Sequence, residues 1–297
     1  MDREDHQDLL AERFEANRPH LRGVAFRMLG SVTEADDAVQ EAWIRLSRTD
    51  TSDVDNLRAW LTTVVARVCL NVLRSRRTRH ETPLETHLPD PIVSREQGLD
   101  PEQEALLGDS VGLAMLVVLD SLTPPERVAF VLHDIFALPF DEIAPIVGRT
   151  PAAARQLASR GRRRVQGAPV PDVDLDGQWA VVDAFLAASR DGDFGRLIAV
   201  LDPDVVLRSD GGPAQPSLAS LIHGAKVVAG QAMSFRRFAA TSTRILVNGI
   251  PGAVAWAPDG TPFAVAALTV KGGRIVAIDI LADPDRLAQL DLTMVAG

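Results

Sequence analysis

At 297 residues the chain is long enough for about two domains, and 46% hydrophobic residues can give each a core, which excludes a wholly disordered protein. A single cysteine, Cys69, excludes an internal disulfide framework and any CxxC zinc site, and fits a reducing, cytoplasmic setting. A net charge of −9 argues against a protein that coats DNA through bulk positive charge.

The N-terminus, MDREDHQDLL, is too acidic for a signal peptide. The longest apolar runs, about ten residues, fall short of the roughly 20 that a membrane helix needs, so no membrane contact is expected. Residues 8–30 carry helical spacing in Leu10, Phe14, Leu21, Val24, Ala25 and Met28; Pro19 breaks or restarts the helix and Gly30 ends it. In SVTEADDAVQEAWIRLSR, Thr33 is the expected cap, with Asp36 three residues on. Its acidic first turn, Glu34, Asp36 and Asp37, suits the positive end of a helix dipole or a docking face for a basic or helical partner.

Residues 51–56 are polar linker. NLRAWLTTVVARVCLNVLRSRRTRH then begins with core-spaced Trp60, Leu61, Val64, Val65, Val68, Leu70 and Leu73, and turns basic at Arg67, Arg74, Arg76, Arg77 and Arg79. Such a helix contacts nucleic acid, or its arginines serve as dipole partners at the C-terminus. Residues 80–101 hold Pro83, Pro89, Pro91 and Pro101 and read as an extended linker. Helical spacing resumes over 102–120.

The stretch from Leu119 to Val165 spells out two helix starts. Thr123 caps one, with Pro124 at the first helical position and Glu126 three residues on; Thr150 and Pro151 repeat the cap-plus-proline device. Between them FDEIAPIVG makes a short helix ending at Gly148, with Pro145 expected to kink it or delay its start. The second helix carries Arg155, Arg160, Arg162, Arg163 and Arg164 and no acid. Helix, tight turn and basic helix are the parts of a helix-turn-helix, against the plainer reading of a solvated helical hairpin.

A second linker, QGAPVPDVDLDG, spans 166–177. From Gln178 the chain reads as two helices around Asp191-Gly192, a strand from Pro203 to Ser209, a helix from Ala225 to Phe238, and strands at 243–247, 253–257, 263–270 and 274–281. Asn248-Gly249, Pro258-Asp259-Gly260 and Gly272-Gly273 are hairpin signals, so this part should be an α+β cone. DPDRLAQL is a short terminal helix or turn.

On these residues the chain resembles an extracytoplasmic-function sigma factor of bacterial RNA polymerase. TEADDAVQEAWIRL looks like the region-2 helix that docks on core polymerase, NLRAWLTTVVARVCLNVLRSRRTR like the segment that reads and melts the −10 element, and SLTPPERVAFVLHDIFALPFDEIAPIVGRTPAAARQLASRGRRR like region 4, which reads the −35 element. Residues 176–290 are similar to a SnoaL-like domain, as in the sigma factor J-like subgroup. Leu88-Pro89-Asp90-Pro91 resembles that subgroup's linker motif. Asp210-Gly211-Gly212 and Asp283-Pro284-Asp285-Arg286-Leu287 resemble its two C-terminal signatures. Four positions depart from the pattern: His87 replaces a tryptophan, Pro213 a third glycine and Arg67 a frequent asparagine, and Pro145 sits inside the first helix of the helix-turn-helix.

The resemblance implies two all-α sigma domains followed by an α+β cone: region 2 over 1–80, linker 81–101, region 4 over 102–167, linker 168–177 and a regulatory SnoaL-like domain over 178–297. It implies Asp36, Asp37, Gln40 and Glu41 for polymerase docking. Arg67, Asn71, Arg74, Arg76 and Arg77 fall to the −10 strand, and Arg155, Gln156, Ser159 and Arg160, with Arg162, Arg163 and Arg164 on phosphate, to the −35 element. Leu88–Pro91, Asp210–Gly212 and Asp283–Leu287 are expected to form or support a regulatory interdomain contact. Expected partners are core RNA polymerase and promoter DNA, with a monomer when free; whether the C-terminal pocket holds a small ligand is left open by the sequence. No cofactor, metal or catalytic residue is expected, although His223, Asp210 and Asp279 are the acid–base groups available to a SnoaL-like enzyme. The alternatives are a single-component regulator whose cone senses a small molecule and a cone enzyme with a DNA-binding appendage.

Overall fold

The computed structural model describes residues 3–49, 54, 56–79, 87–95, 113–293 and 295, with side chains from residue 8 onward except 78, 79 and 238. The chain divides into two compact units. Among the described residues, the first takes 3–79 and 118–167, and the second takes 87–95, 113–117 and 168 onward.

The first unit opens with α1 (Arg3–Glu15), α2 (Arg18–Leu29), α3 (Val32–Leu46) and α4 (Leu57–Arg79). Pro19 lies in the first turn of α2, where its missing N–H has no partner to lose. The cap of α3 is Ser31, not Thr33. Ser31 is extended, at φ −130° and ψ 131°, and its Oγ accepts from the Glu34 amide at 3.4 Å, whereas Thr33 already lies inside the helix. Leu21, Val24 and Met28 of α2, Val39 and Leu46 of α3, and Leu61 and Val65 of α4 form a buried three-helix core.

Next in the chain come α5 (Leu113–Asp120), of which only residues 118–120 belong to the first unit, then α6 (Pro124–Phe130) with a π turn (Val131–Ile135) at its end, α7 (Phe140–Val147) and α8 (Pro151–Val165). At the start of α6 the Thr123 amide donates to the Glu126 carboxylate at 3.2 Å and the Thr123 hydroxyl donates at 2.8 Å. Pro145 is accommodated within α7, which closes at Gly148 in the left-handed conformation, φ 67°. Thr150 Oγ1 accepts from the Ala153 amide at 3.3 Å and starts α8. Ala154, Ala158, Gly161 and Val165 are the buried face of α8. These small residues bring α8 close to α6: a Cβ on Gly161 would stand 2.9 Å from Phe130 Cβ and 3.3 Å from the Glu126 carbonyl.

The two helical groups pack on one another within this unit. Arg127 of α6 is 2% exposed; it is ion-paired to Asp120 and its Nε donates to the Arg27 carbonyl at 3.2 Å. Phe136 lies under the Arg27 guanidinium, 5.3 Å from its ring centroid, and takes the His20 ring edge-on at 5.3 Å. Burial, then the positive charges of Arg58 and Arg27, push the His20 imidazole down to about 4, so it is neutral at this seam near pH 7.

The second unit comprises β1 (Val93–Ser94), α9 (Leu175–Asp191), α10 (Phe194–Val200), β2 (Leu201–Asp210), a short 3-10 turn (Pro216–Leu218), β3 (Ser220–His223), α11 (Ala225–Ser234), α12 (Arg236–Ala240), β4 (Ser242–Val247), β5 (Ile250–Trp256), β6 (Pro262–Lys271), β7 (Arg274–Leu281) and α13 (Pro284–Leu287). One seven-stranded sheet runs β1-β4-β5-β6-β7-β2-β3, with β2 and β7 parallel and the other pairs antiparallel. Trp179, Val182 and Phe185 of α9, Leu197 of α10 and Val228 of α11 pack on its inner face.

Three expectations change here. The proline-rich stretch contributes an edge strand: Val93 pairs with Val247 and Ser94 with Leu246. β3 adds a strand of four residues that sequence spacing does not reveal. The helix expected over 225–238 divides at Phe235. Asp172, in the second expected linker, accepts from the Gly272 and Gly273 amides at 2.9 and 3.2 Å, which ties that segment to the β6–β7 turn.

The α6–α8 contact gives a stability test. Gly161→Val should lower stability by about 1–3 kcal/mol through overpacking. Chemical denaturation followed by circular dichroism checks this; an unchanged midpoint would contradict so close an approach.

Candidate nucleic-acid interface and linker clasp

Helix α8 turns its small-residue face inward and its polar face outward. Arg155, Gln156, Ser159, Arg160, Arg162, Arg163 and Arg164 are all exposed. Their partners differ. Arg162 donates to Asp134 through Nε at 2.7 Å and NH2 at 2.5 Å. Arg164 reaches the Ser121 carbonyl at 3.3 Å and Glu126 at 3.2 Å. Both therefore brace the helix-turn-helix. The Arg155 guanidinium lies 5.2 Å from the Phe140 ring centroid. Gln156, Ser159, Arg160 and Arg163 form the face opposite the buried one, which is the geometry for reaching into a groove.

On α4, Arg67, Asn71 and Arg74 are exposed at i, i+4 and i+7, hence on one face, with exposed Arg77 following. Arg76 is different: it donates to the Leu29 carbonyl at 2.9 Å and forms an ion pair with Glu34. In this structure it satisfies a terminal carbonyl of α2 and ties α4 to α2 and α3. On α3, Asp37 and Gln40 are exposed. Asp36 is held by a fork from Arg22 at 2.5 and 3.0 Å, and Glu41 pairs with Arg45 at 2.9 Å. Glu34 is thus part of the internal bracing and not of an open acidic face.

In the second unit, the three remaining motif segments come together. Arg286 of α13 donates to Asp90 Oδ1 through Nε at 2.9 Å and NH2 at 2.6 Å, to the Leu88 carbonyl at 2.6 Å, and through NH1 to Asp210 Oδ2 at 2.8 Å. The Leu88 amide also donates to Asp210, at 3.0 Å, and His87 Nδ1 stands 3.3 Å from it. Asp283 caps α13 through the Asp285 and Arg286 amides, Pro284 starts the helix and Leu287 is buried beneath it. Leu88, Pro89 and Pro91 are buried. Gly211 and Gly212 are needed for close approach: a Cβ would overlap the Gln215 carbonyl at the first and the Asp283 carboxylate at the second. Asn248 extends the attachment, since its Oδ1 accepts from the Ile92 backbone amide at 2.7 Å and its backbone N–H donates to the Ile92 carbonyl at 2.8 Å. Sequence reasoning read Asn248 only as a turn residue.

Comparison with known proteins matches this geometry to a family. Residues 13–79 match the model of Sigma-70 region 2, and residues 113–165 match that of Sigma-70, region 4. The chain is 39% identical over 289 residues to the ECF RNA polymerase sigma factor SigJ of Mycobacterium tuberculosis, covering 92% of this chain and 91% of that one. It is 35% identical to the probable ECF RNA polymerase sigma factor SigI of the same organism, covering 98% and 99%. The crystal structure of Mycobacterium tuberculosis SigJ superimposes with a TM-score of 0.77 at 36% identity, covering 95% of this chain and 99% of that one. The chain belongs to the ECF sigma factors.

Within this sigma factor the acid–base candidates of the cone do not converge. Asp210 is committed to the clasp, and His223 is exposed on β3. Asp279 is fully buried and paired with Arg208 at 2.6 Å; burial pushes its carboxyl up while Arg208 pulls it down. Their strand neighbours Leu207, Ser209, Ile278 and Ile280 line the cone's cavity, so alternation places Arg208 and Asp279 on the other face of the sheet. No helix among the described residues is long and apolar enough to cross a membrane, and no metal-binding cluster occurs among them.

The clasp carries a pH signature. Burial alone would raise Asp210, but hydrogen bonds from His87 and the Leu88 and Gly212 amides, with the Arg286 charge, outweigh it and hold the carboxyl at about 2. A carboxyl depressed from 3.8 to about 2 stabilises the fold by roughly 2 kcal/mol above the higher value. That stabilisation is lost as pH falls through about 2. Asp210→Asn should remove this acid-side loss and lower stability at neutral pH. Denaturation curves from pH 7 downward test it; equal pH dependence in both proteins would contradict the assignment.

Proposed function

We propose that this sigma factor binds core RNA polymerase, directs initiation at promoters with −10 and −35 elements, and has its activity modulated in cis by the cone. The observation that carries this is the pair of exposed polar faces, one on α4 and one on α8, in a chain whose family is established. Arg67, Asn71, Arg74 and Arg77 hold the −10 strand, whose unstacked bases suit polar side chains. Arg155 and Gln156 read base edges at the −35 element, while Arg160 and Arg163 bind phosphate and set register. Asp37 and Gln40 lead the docking face, with Asp36 and Glu41 as charge support.

The cone acts as a regulator and not as an enzyme. This is supported by the dispersal of its carboxylates and its histidine, since acid–base chemistry needs groups within contact of one reacting atom. The linker between the two promoter readers is fastened to the cone, so the cone restricts the distance the readers span. The chain acts as a monomer before it joins polymerase, in a cytoplasmic setting.

Run-off transcription with core polymerase tests the reading. A promoter-specific transcript is expected, and its absence on every selected promoter, with or without residues 168–297, would contradict it. Gln156→Ala should relax base preference at one −35 position by about 1–3 kcal/mol. Arg163→Ala should weaken holoenzyme binding evenly across sequences and reduce the salt slope by about 1. Identical selectivity and slope in both variants would remove the roles given to α8.

A further inference from the structure

The cone is hollow where its sheet faces its helices. β5 and β6 carry Ala253, Ala255, Ala264 and Ala266 on the inner face, where larger side chains would close the core. A cavity of about 210 Å³ remains between them and Phe185 and Leu186 of α9. Ala266 and Ile280 are only half-buried although they sit within the sheet, because they face this space. A concave, mainly apolar space of that size suits a small apolar ligand.

The lining specifies the chemistry of that occupant. Among the described residues it contains no Asp, Glu, Lys, Arg or His, so a charged group would enter without a counter-charge from them. Its polar members are serines and one amide, Gln231. Ser189 is 3% exposed, and its Oγ has no hydrogen-bond partner among the described residues. A buried hydroxyl left unpaired is a cost that a ligand group would remove. Ser209, on the sheet wall of the cavity, is also buried.

The same wall adjoins the clasp. Ser209 lines the cavity, and the next residue, Asp210, holds Arg286 and the Leu88 amide. Ala282 lines it too; its amide donates to the Asp210 carbonyl at 2.7 Å, and the next residue, Asp283, caps the helix that carries Arg286. At the end of β2 one residue thus faces the cavity and the next holds the linker, and just past β7 one residue faces the cavity and the next sets the helix that carries Arg286. We infer that the cavity binds a neutral, mainly apolar small molecule carrying one hydrogen-bonding group, and that its occupancy changes the hold of the clasp on the linker.

This deepens the regulatory reading of the cone and rests on it for its consequence in transcription. Its test uses the free full-length chain, so it fails independently of the run-off assay. The probes are N-phenylnaphthylamine, neutral with one N–H, and its sulfonated relative anilinonaphthalene sulfonate. Fluorescence titration should show saturable one-site binding of the neutral probe and at least about tenfold weaker binding of the sulfonate. Ala266→Leu, which fills the cavity, should weaken the neutral probe by at least about tenfold, and Ser189→Ala should weaken it in a chain of unchanged shape. At saturation, amide exchange at Leu88 and Ile92 should change by at least about threefold, with no change in Ala266→Leu. Absence of saturable binding, equal affinity for the sulfonate, or equal affinity in both variants would overturn the site. Binding without altered exchange at Leu88 and Ile92 would overturn its coupling to the linker.

Discussion

One guanidinium joins three parts of the chain that are far apart in sequence. Arg286 spans the Leu88 carbonyl, the Asp90 carboxylate and the Asp210 carboxylate, from a helix start set by Asp283. Its planar fork holds separate donors at fixed positions toward two carboxylates and a carbonyl, a spread that the compact point charge of a lysine does not match. The glycines at 211 and 212 allow the backbone to approach, and β1 continues the attachment by pairing with β4. What would otherwise be a proline-rich tether between two promoter readers thus becomes, over residues 88–94, part of the cone's own fold.

The arginines divide into two working groups. Arg22, Arg76, Arg127, Arg162 and Arg164 are spent on internal acids and carbonyls, which orients the helices of the first unit. Arg67, Arg77, Arg160 and Arg163 lie outward on α4 and α8. This division agrees with a net charge of −9. Acids outnumber cations by nine, so long-range repulsion from phosphate opposes these local positive faces, and in the proposed reading a polymerase partner brings the DNA to them.

Local chemistry was legible before any fold was known. The Thr123 capping box, the Thr150 cap, the left-handed end at Gly148 and the Asn248-Gly249 hairpin each depend on neighbours a few residues away, and each stands where the sequence places it. The motif segments at 88–91, 210–212 and 283–287 were also visible, but only as a resemblance. What could not be read was which side chain meets which. Arg76 and Arg77 are adjacent and alike, yet Arg76 alone has the α2 carbonyl end within reach. Val93 and Ser94 form a strand because β4 offers an edge, not because two residues have a strand pattern of their own. The cavity is likewise tertiary: alanines on one face of a sheet look like ordinary core until the helices opposite them are placed.

In the proposed reading the Arg286 clasp, by holding the linker, limits the separation between the −10 and −35 readers. The direct measurement is in vitro transcription by reconstituted holoenzyme from a promoter series that differs only in spacer length, with the natural chain and with Arg286→Ala. The natural chain should favour a narrow range of spacers, and the variant should use a broader one with its −10 and −35 base preferences intact. An identical spacer profile for the two proteins, with the linker shown by amide exchange to be released in the variant, would contradict the account.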